Sequence, residues 1–134
     1  MKAVEARDAM CSMVLAAWNT ALYGPMLWQG KSGEPPADGP WGRTSIQHFP
    51  SSADGIGDLN SSYCIKGVLT VQCFSPVGKS TDTAYNAAQS IVDNFSGVRS
   101  GSIVFRNPHV RELPVDGNFN QVNALVSFEY TDVR

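Results

Sequence analysis

The longest regular pattern in the sequence is a run over residues 119–130 in which apolar and polar side chains alternate. The apolar side chains fall on Val122, Ala124, Val126, Phe128 and Tyr130. A period of two places successive side chains on opposite faces of a strand. The run therefore predicts a long strand with one face toward a core, which requires a sheet and something that covers that face.

Further strands are predicted elsewhere in the chain. The clearest covers residues 63–74, where Ile65, Leu69, Val71 and Cys73 share one face. Shorter strands are predicted at 26–29, 41–49, 102–106 and 109–115. Two segments rich in Gly, Pro, Ser and Asp, residues 30–40 and 50–62, predict surface loops between them.

Two helices are predicted. The first covers residues 3–21, and its buried side is predicted to carry Val4, Cys11, Leu15, Trp18 and Leu22, with Val14 and Ala21 beside them. The second covers 80–96, with Ser80 as its N-cap. Its buried stripe is predicted to consist of Ala84, Ala87, Ala88, Ile91, Val92 and Phe95. We expect Phe128 to pack in the core against this second helix.

The order of these elements predicts the fold class. Strands that form hairpins, separated by two helices, favour an α+β fold with a mostly antiparallel (mixed) sheet of about five to six strands and both helices on one face. The chain has 134 residues, of which 43% are hydrophobic. That length supports one core, so we predict a single domain over residues 1–134.

Charge and composition exclude several classes of partner. The formal net charge is -2, with ten basic and twelve acidic residues, which argues against a broad DNA-binding surface and against sequence-specific nucleic-acid binding. No apolar run reaches the roughly 18 residues of a membrane-spanning helix. Glu5 and Asp8 are unlike the basic leader of a signal peptide. Cys11, Cys64 and Cys73 cannot all pair within one chain, so reduced thiols in a cytoplasm are predicted.

No motif predicts catalysis, a metal or a cofactor. The segment 76–80 ends in Gly-Lys-Ser like a phosphate-binding loop, but the first glycine of that motif is replaced by Cys73. His48 and His109 lack a neighbouring carboxylate or thiol at metal-ligand spacing, and we expect both on the surface. Asp54 and Asp58 lack the further oxygens of a calcium loop. A ligand-binding domain would need a pocket of convergent polar groups that the sequence does not indicate.

The whole pattern resembles a family, the tail terminator (tail completion) proteins of long-tailed bacteriophages. The resemblance covers nearly the whole chain and is one of order and pattern. It rests on the helix that ends in Trp18, the strand with Trp28, the segments Pro40–Ile46 and Lys66–Pro76, the Ala-rich helix that ends in Phe95, and the final run Asn120–Tyr130.

The resemblance implies a structural virion protein, not an enzyme. It implies a ring-forming homo-oligomer, a hexamer, that caps the tail tube protein at the head-proximal end and offers its other side to the head-neck connector protein. Assembly would take place in the host cytoplasm. A head-tail connector or neck subunit is the alternative, and a small ligand-binding domain is a remote one.

Contacts with neighbouring subunits or with the tube are expected from loops and arginines. The second half of the sequence contains a group of arginines, Arg99, Arg106 and Arg111. We expect them to form one side of a charged interface between subunits. Ile56 and Leu59 are apolar residues in a polar loop, which favours a contact. We expect residues 51–60 to be mobile in the isolated subunit and ordered in the ring. The full set of expected contact residues is Arg43, Asp54, Ile56, Asp58, Leu59, Arg99, Arg106 and Arg111.

Overall fold

A computed structural model describes residues 1–31, 33–36, 38–50, 52–53, 62–78 and 81–133. This part of the chain forms three helices and seven strands. In chain order they are α1 (Ala3–Ala17), α2 (Thr20–Tyr23), β1 (Met26–Trp28), β2 (Trp41–His48), β3 (Ser52–Ala53), β4 (Ser62–Pro76), α3 (Asp82–Phe95), β5 (Arg99–Ser100), β6 (Ile103–Asp116) and β7 (Phe119–Val133). The predicted α+β class is confirmed.

The strands form one mixed sheet in the order β1-β2-β4-β7-β6-β5. β1 runs parallel to β2, and the other pairs are antiparallel. The short β3 pairs with the first part of β4, beside the end of β2, so the seven strands occupy six positions. The predicted number of positions is therefore correct, although β3 lies in a predicted loop and β5 was not predicted.

The inner face of the sheet carries the core. Ile46, Leu69 and Val126 lie side by side in register on β2, β4 and β7, and all three are buried. Phe128 is 2% exposed, which confirms its predicted place in the core. Its ring lies 5.3 Å from the His48 ring in an edge-to-face arrangement. The alternation over 119–130 thus defines the buried face as predicted.

Gly67 of β4 makes room for this packing. A Cβ atom at Gly67 would lie 2.2 Å from the Gln47 carbonyl oxygen and 2.5 Å from Cζ of Phe128. Such distances are far below van der Waals contact, so the neighbouring strand and ring occupy the space that a side chain would need. Glycine at this position is required by close approach rather than by backbone conformation.

α3 covers the inner face as predicted. All six residues of its predicted stripe are buried, and Phe95 meets Phe105 of β6 edge-to-face at 4.8 Å. The helix begins at Asp82 with Thr81 as N-cap, two residues later than predicted. The predicted cap Ser80 and its neighbour Lys79 lie outside the described residues.

The first predicted helix is divided. Trp18 adopts an extended conformation, and its indole N–H donates to the Gly24 carbonyl at 2.8 Å. Asn19 then caps α2, because its side-chain oxygen accepts from the backbone N–H of Ala21 at 3.1 Å. Trp18 is 6% exposed, so its predicted place in the core is confirmed.

The predicted buried side of α1 is wrong in part. Val14, predicted beside it, is fully buried together with Ala6 and Met10, whereas Val4 is 70% exposed and Leu15 is 60% exposed. Leu22, in α2, is also 60% exposed. Two stripes of apolar residues run along this helix, and the stripe with Ala6, Met10 and Val14 is the one in the core.

A bulge joins two predicted strands into one. Segments 102–106 and 109–115 both belong to β6, whose pairing with β7 shifts between Arg106 and His109. Asn107 in the bulge has a φ of 51°, a left-handed conformation that Asn tolerates better than most residues. Pro108 follows it directly. The bulge lets Arg106, His109 and Arg111 follow one another on the outer face of the sheet.

Candidate functional site

The outer face of the sheet, which points away from the helices, is broad and polar. One row across it consists of Arg43, Gln72, Asn123 and Arg111, in register on β2, β4, β7 and β6. Within this row the Arg43 Nε donates to the Gln72 side-chain oxygen at 2.6 Å. Thr70 and Ser127 continue the polar surface on neighbouring rows. The strands thus hold these side chains on a fixed grid rather than on flexible loops.

Aromatic rings form one end of the outer face. Trp41 and Phe74 stack with their centroids 4.0 Å apart, and Phe119 meets Trp41 edge-on at 5.8 Å. The Arg43 guanidinium lies 5.7 Å from the centroids of both Trp41 and Phe74, within cation–π range. This packing fixes the position of Arg43 and keeps its charge at the surface.

Basic residues predominate on the outer face. Arg43, Lys66, Arg106 and Arg111 are exposed there, and Glu129 is the one carboxylate among the side chains described on it. Arg106 Nε donates to Glu129 at 2.8 Å, and this hydrogen bond lowers the pKa of Glu129. Among the described side chains this face therefore has an excess of positive charge, which the chain's net charge of -2 does not reveal.

The structure brings together four of the predicted contact residues. Arg43, Arg106 and Arg111 share the outer face, and Arg99 lies on the same face at the edge strand β5, since it pairs with Val104, the partner of Glu129. The other predicted contacts belong to a segment outside the described residues: Asp54, Ile56, Asp58 and Leu59. The same holds for most of the predicted mobile loop.

The two histidines differ in environment. His109 is exposed, as predicted, and its ring nitrogen Nδ1 lies 2.8 Å from the Asn107 carbonyl oxygen. His48 is half-buried against Phe128, and its Nε2 lies at hydrogen-bond distance, 2.9 Å, from the Tyr130 hydroxyl oxygen. The expectation of a surface histidine is thus only partly met at His48, which helps to pack the inner face.

Burial lowers the pKa of His48 below its usual 6.5. The unfolded chain therefore binds a proton more readily, and the free energy of unfolding should fall as pH drops below about 6.5. We expect urea denaturation to show lower stability at about pH 5.5 than at about pH 7.5. The difference should shrink in His48→Gln and persist in His109→Gln, the exposed control. Equal stability at both pH values in the unmodified protein would contradict this prediction.

The cysteines are free thiols. Cys73 is buried, and burial raises its pKa to about 12. Burial also raises the pKa of the half-buried Cys11 thiol. Among the residues that the structure describes, no three His, Cys, Asp or Glu side chains are grouped so that they could hold a metal ion. Within the same part of the chain, no helix is long and apolar enough to cross a bilayer.

A second surface was not predicted from the sequence. The exposed stripe of α1 borders a groove whose other wall is β1 and the turn that follows it. Cys11, Leu15 and Trp28 line one half of this groove. The spacing of Val4, Cys11 and Leu15 was visible in the sequence, but it was assigned to the core.

A broad polar face with exposed basic side chains, and a separate groove of mixed polar and apolar lining, are features of a structural subunit that assembles with other chains. Comparison with known proteins agrees with this class. The family model of the phage tail terminator protein matches residues 5–115. The chain belongs to this family, whose members are structural proteins of phage tails.

The fold is shared with solved structures of low sequence identity. One is 18% identical, has a TM-score of 0.62, and the match covers 92% of this chain and 94% of that chain. Another belongs to the virion of a native gene transfer agent particle, with 17% identity, a TM-score of 0.52, and coverage of 98% and 100%. A search of curated protein sequences gives no match.

Proposed function

We propose that this protein forms a ring that caps the tail tube, ends its polymerisation and offers a surface for head attachment. The observation that carries the proposal is the tail terminator family match over residues 5–115. A structure of the same fold belongs to a gene transfer agent virion, which supports a place in a virion. The partners would be further copies of the chain, the tail tube protein and the head-neck connector protein.

The outer face and the sheet edges supply the contacts in this proposal. Arg43, Arg106 and Arg111 would meet the tube or a neighbouring subunit from the outer face, and Arg99 from the β5 edge of the same face. Asp54, Ile56, Asp58 and Leu59, which follow β3 in the sequence, are proposed as further contacts. Charged side chains on a rigid sheet suit this role, because they fix register and orientation between partners. The protein would act by binding, without a reaction.

Tail length tests the proposal. Tails assembled without this protein should be overlong in negative-stain images, because nothing would end tube growth. Arg111→Glu should give overlong tails too, whereas Asp93→Lys, an exposed charge reversal on α3, should give normal ones. Tails of normal length without heads, seen when the protein is absent, would contradict a terminator and indicate a neck subunit.

A further inference from the structure

We propose that the outer face of the sheet docks on the end of the tail tube, and that the surface it meets there is acidic. The five basic residues of this face, called the basic rim below, are Arg43, Lys66, Arg99, Arg106 and Arg111. The inference rests on the proposed function, in which this face meets the tube or a neighbouring subunit. It names which of these partners the face meets and the chemistry of that partner's surface.

The basic rim carries more positive charge than the described part of the face balances. All five rim residues are exposed. Glu129 is the one carboxylate among the side chains described on this face, and it is paired with Arg106. Within the described ranges, no other rim residue takes part in an ion pair. Four cations therefore remain for a partner to balance.

The rim residues lie around an uncharged centre. Arg43 and Arg111 share one row on β2 and β6, three strand spacings or about 14 Å apart. Lys66 and Arg99 share a second row, about 20 Å further along the strands. The side chains between these two rows on β2, β4 and β7 are uncharged and at least partly exposed: Ser45, Gln47, Val68, Thr70, Leu125 and Ser127.

The uncharged centre favours a protein partner over nucleic acid. Duplex DNA carries one charge per about 1.7 Å of its axis, and the surfaces that bind it are strongly positive throughout. Protein interfaces instead combine a core with few charges and a polar rim. Val68, Thr70 and Leu125 supply such a core here. The cations around it then select an acidic partner, because a basic surface would be repelled.

A second copy of the chain does not suit this face. Two outer faces would repel each other, since both carry an excess of positive charge. The exposed acidic residues described elsewhere are dispersed over α1, the segment before β2, α3 and β6: Glu5, Asp8, Glu34, Asp38, Asp82, Asp93 and Glu112. Those of α1 also lie beside Arg7. No described element thus presents a match for four cations, and the occupant is a different protein.

The rim residues differ in how firmly they are held. Arg43 donates to the Gln72 side-chain oxygen at 2.6 Å and lies 5.7 Å from the ring centroids of Trp41 and Phe74. Its guanidinium is therefore positioned before binding and loses little freedom when a carboxylate arrives. The charge of Arg106 is balanced within the chain. We expect Arg43 to contribute strongly to binding and the charge of Arg106 to contribute little.

Co-sedimentation with tubes assembled from the tail tube protein tests the contact. Arg43→Glu and Arg111→Glu should each weaken tube binding by about tenfold or more. Binding of the unmodified protein should also weaken as salt rises from about 0.05 to about 0.5 M, because salt screens exposed charges. Circular dichroism should confirm that the variants fold, since both residues are exposed.

Two control variants match these charge reversals. Arg106→Gln combined with Glu129→Gln removes a pair that is already neutral, so tube binding should change by less than about threefold. Asp93→Lys reverses an exposed charge on α3, away from the outer face, and should leave tube binding unchanged.

A cross-link identifies the chemistry of the partner. Arg111→Lys keeps the positive charge and supplies an amine on the outer face. A carbodiimide activates a carboxylate, the amine attacks it to form an amide, and the reagent leaves as a urea that has taken up the elements of water. Mass spectrometry of the tube complex should show position 111 joined to an Asp or Glu of the tail tube protein. Asp93→Lys, with its amine on α3, should give no such link.

The outcomes separate this inference from the proposed function. Absence of tube binding, tube binding that survives both Arg43→Glu and Arg111→Glu, or a link from position 111 to a second copy of the chain would each overturn the inference. Binding of duplex DNA instead of tubes would overturn it too. Overlong tails in the absence of the protein would still support the function in each case. Conversely, rim-dependent tube binding by a protein that does not affect tail length would support the inference and contradict the function.

Discussion

Phe128→Ala should lower the free energy of unfolding by about 3–5 kcal/mol. The side chain is 2% exposed and belongs to an aromatic group on the inner face. Its ring stacks on Tyr130 at 6.2 Å and meets His48 edge-on at 5.3 Å. Removal of the ring leaves a cavity that strands held on both sides can close only in part. Domains of this kind are stable by about 5–15 kcal/mol, so the loss would be a large fraction of the total.

Urea denaturation of the isolated chain measures this loss. The midpoint should fall while the slope with denaturant stays the same. Ser127→Ala is the matched control, since Ser127 is the preceding residue and is exposed on the outer face. Its effect should stay within about 0.5 kcal/mol. A loss below about 1 kcal/mol in Phe128→Ala would mean that the ring is not tightly packed.

Gly67→Ala should destabilise the protein by about 1–3 kcal/mol, although it adds only a methyl group. The added Cβ would meet the Gln47 carbonyl oxygen at 2.2 Å and Cζ of Phe128 at 2.5 Å. The oxygen belongs to the backbone of β2, so relief requires that β2 and β4 move apart. The ring of Phe128 can relieve its part of the clash only by leaving its packed position.

A double variant tests whether Gly67 and Phe128 share this space. Phe128→Leu removes the ring edge, so the cost of Gly67→Ala in that background should be smaller than in the unmodified protein, by about 0.5 kcal/mol or more. Lys66→Ala, at the exposed neighbouring position, should show no such coupling. Additive effects would contradict direct contact. A neutral Gly67→Ala would contradict the close approach of β2.

The elements that were predicted correctly from the sequence are those whose apolar residues fall on a single face. In β7 and in α3 the apolar residues define a single face, and both faces are buried as expected. α1 has two apolar stripes, and the spacing of Val4, Cys11 and Leu15 indicated the one that is mostly exposed. Ala6 is small enough for close helix packing, which depends on the position of α3 and is not visible in the local pattern.

The sequence predicted several residues of the candidate site but not how they are arranged on the sheet. Alternation along β2 and β6 places Arg43 and Arg111 away from the core, but the order of strands decides that they share a row. The bulge at Asn107 shifts the alternation within β6, so a regular strand would have placed Arg106 and Arg111 on opposite faces. Net charge likewise averages over the molecule and conceals the positive face.

The irregular edge of β6 also limits how copies of this chain can join. A regular open edge would offer a continuous row of backbone N–H and C=O groups, the template on which sheets extend into fibres. Here Pro108 and Pro114 have no N–H to donate, and the bulge at Asn107 bends the row. Backbone hydrogen bonding between two copies along this edge is thus obstructed. Any association of copies at this edge must depend on side-chain contacts. The β6 edge is therefore a poor template for the backbone pairing of successive copies that produces fibres.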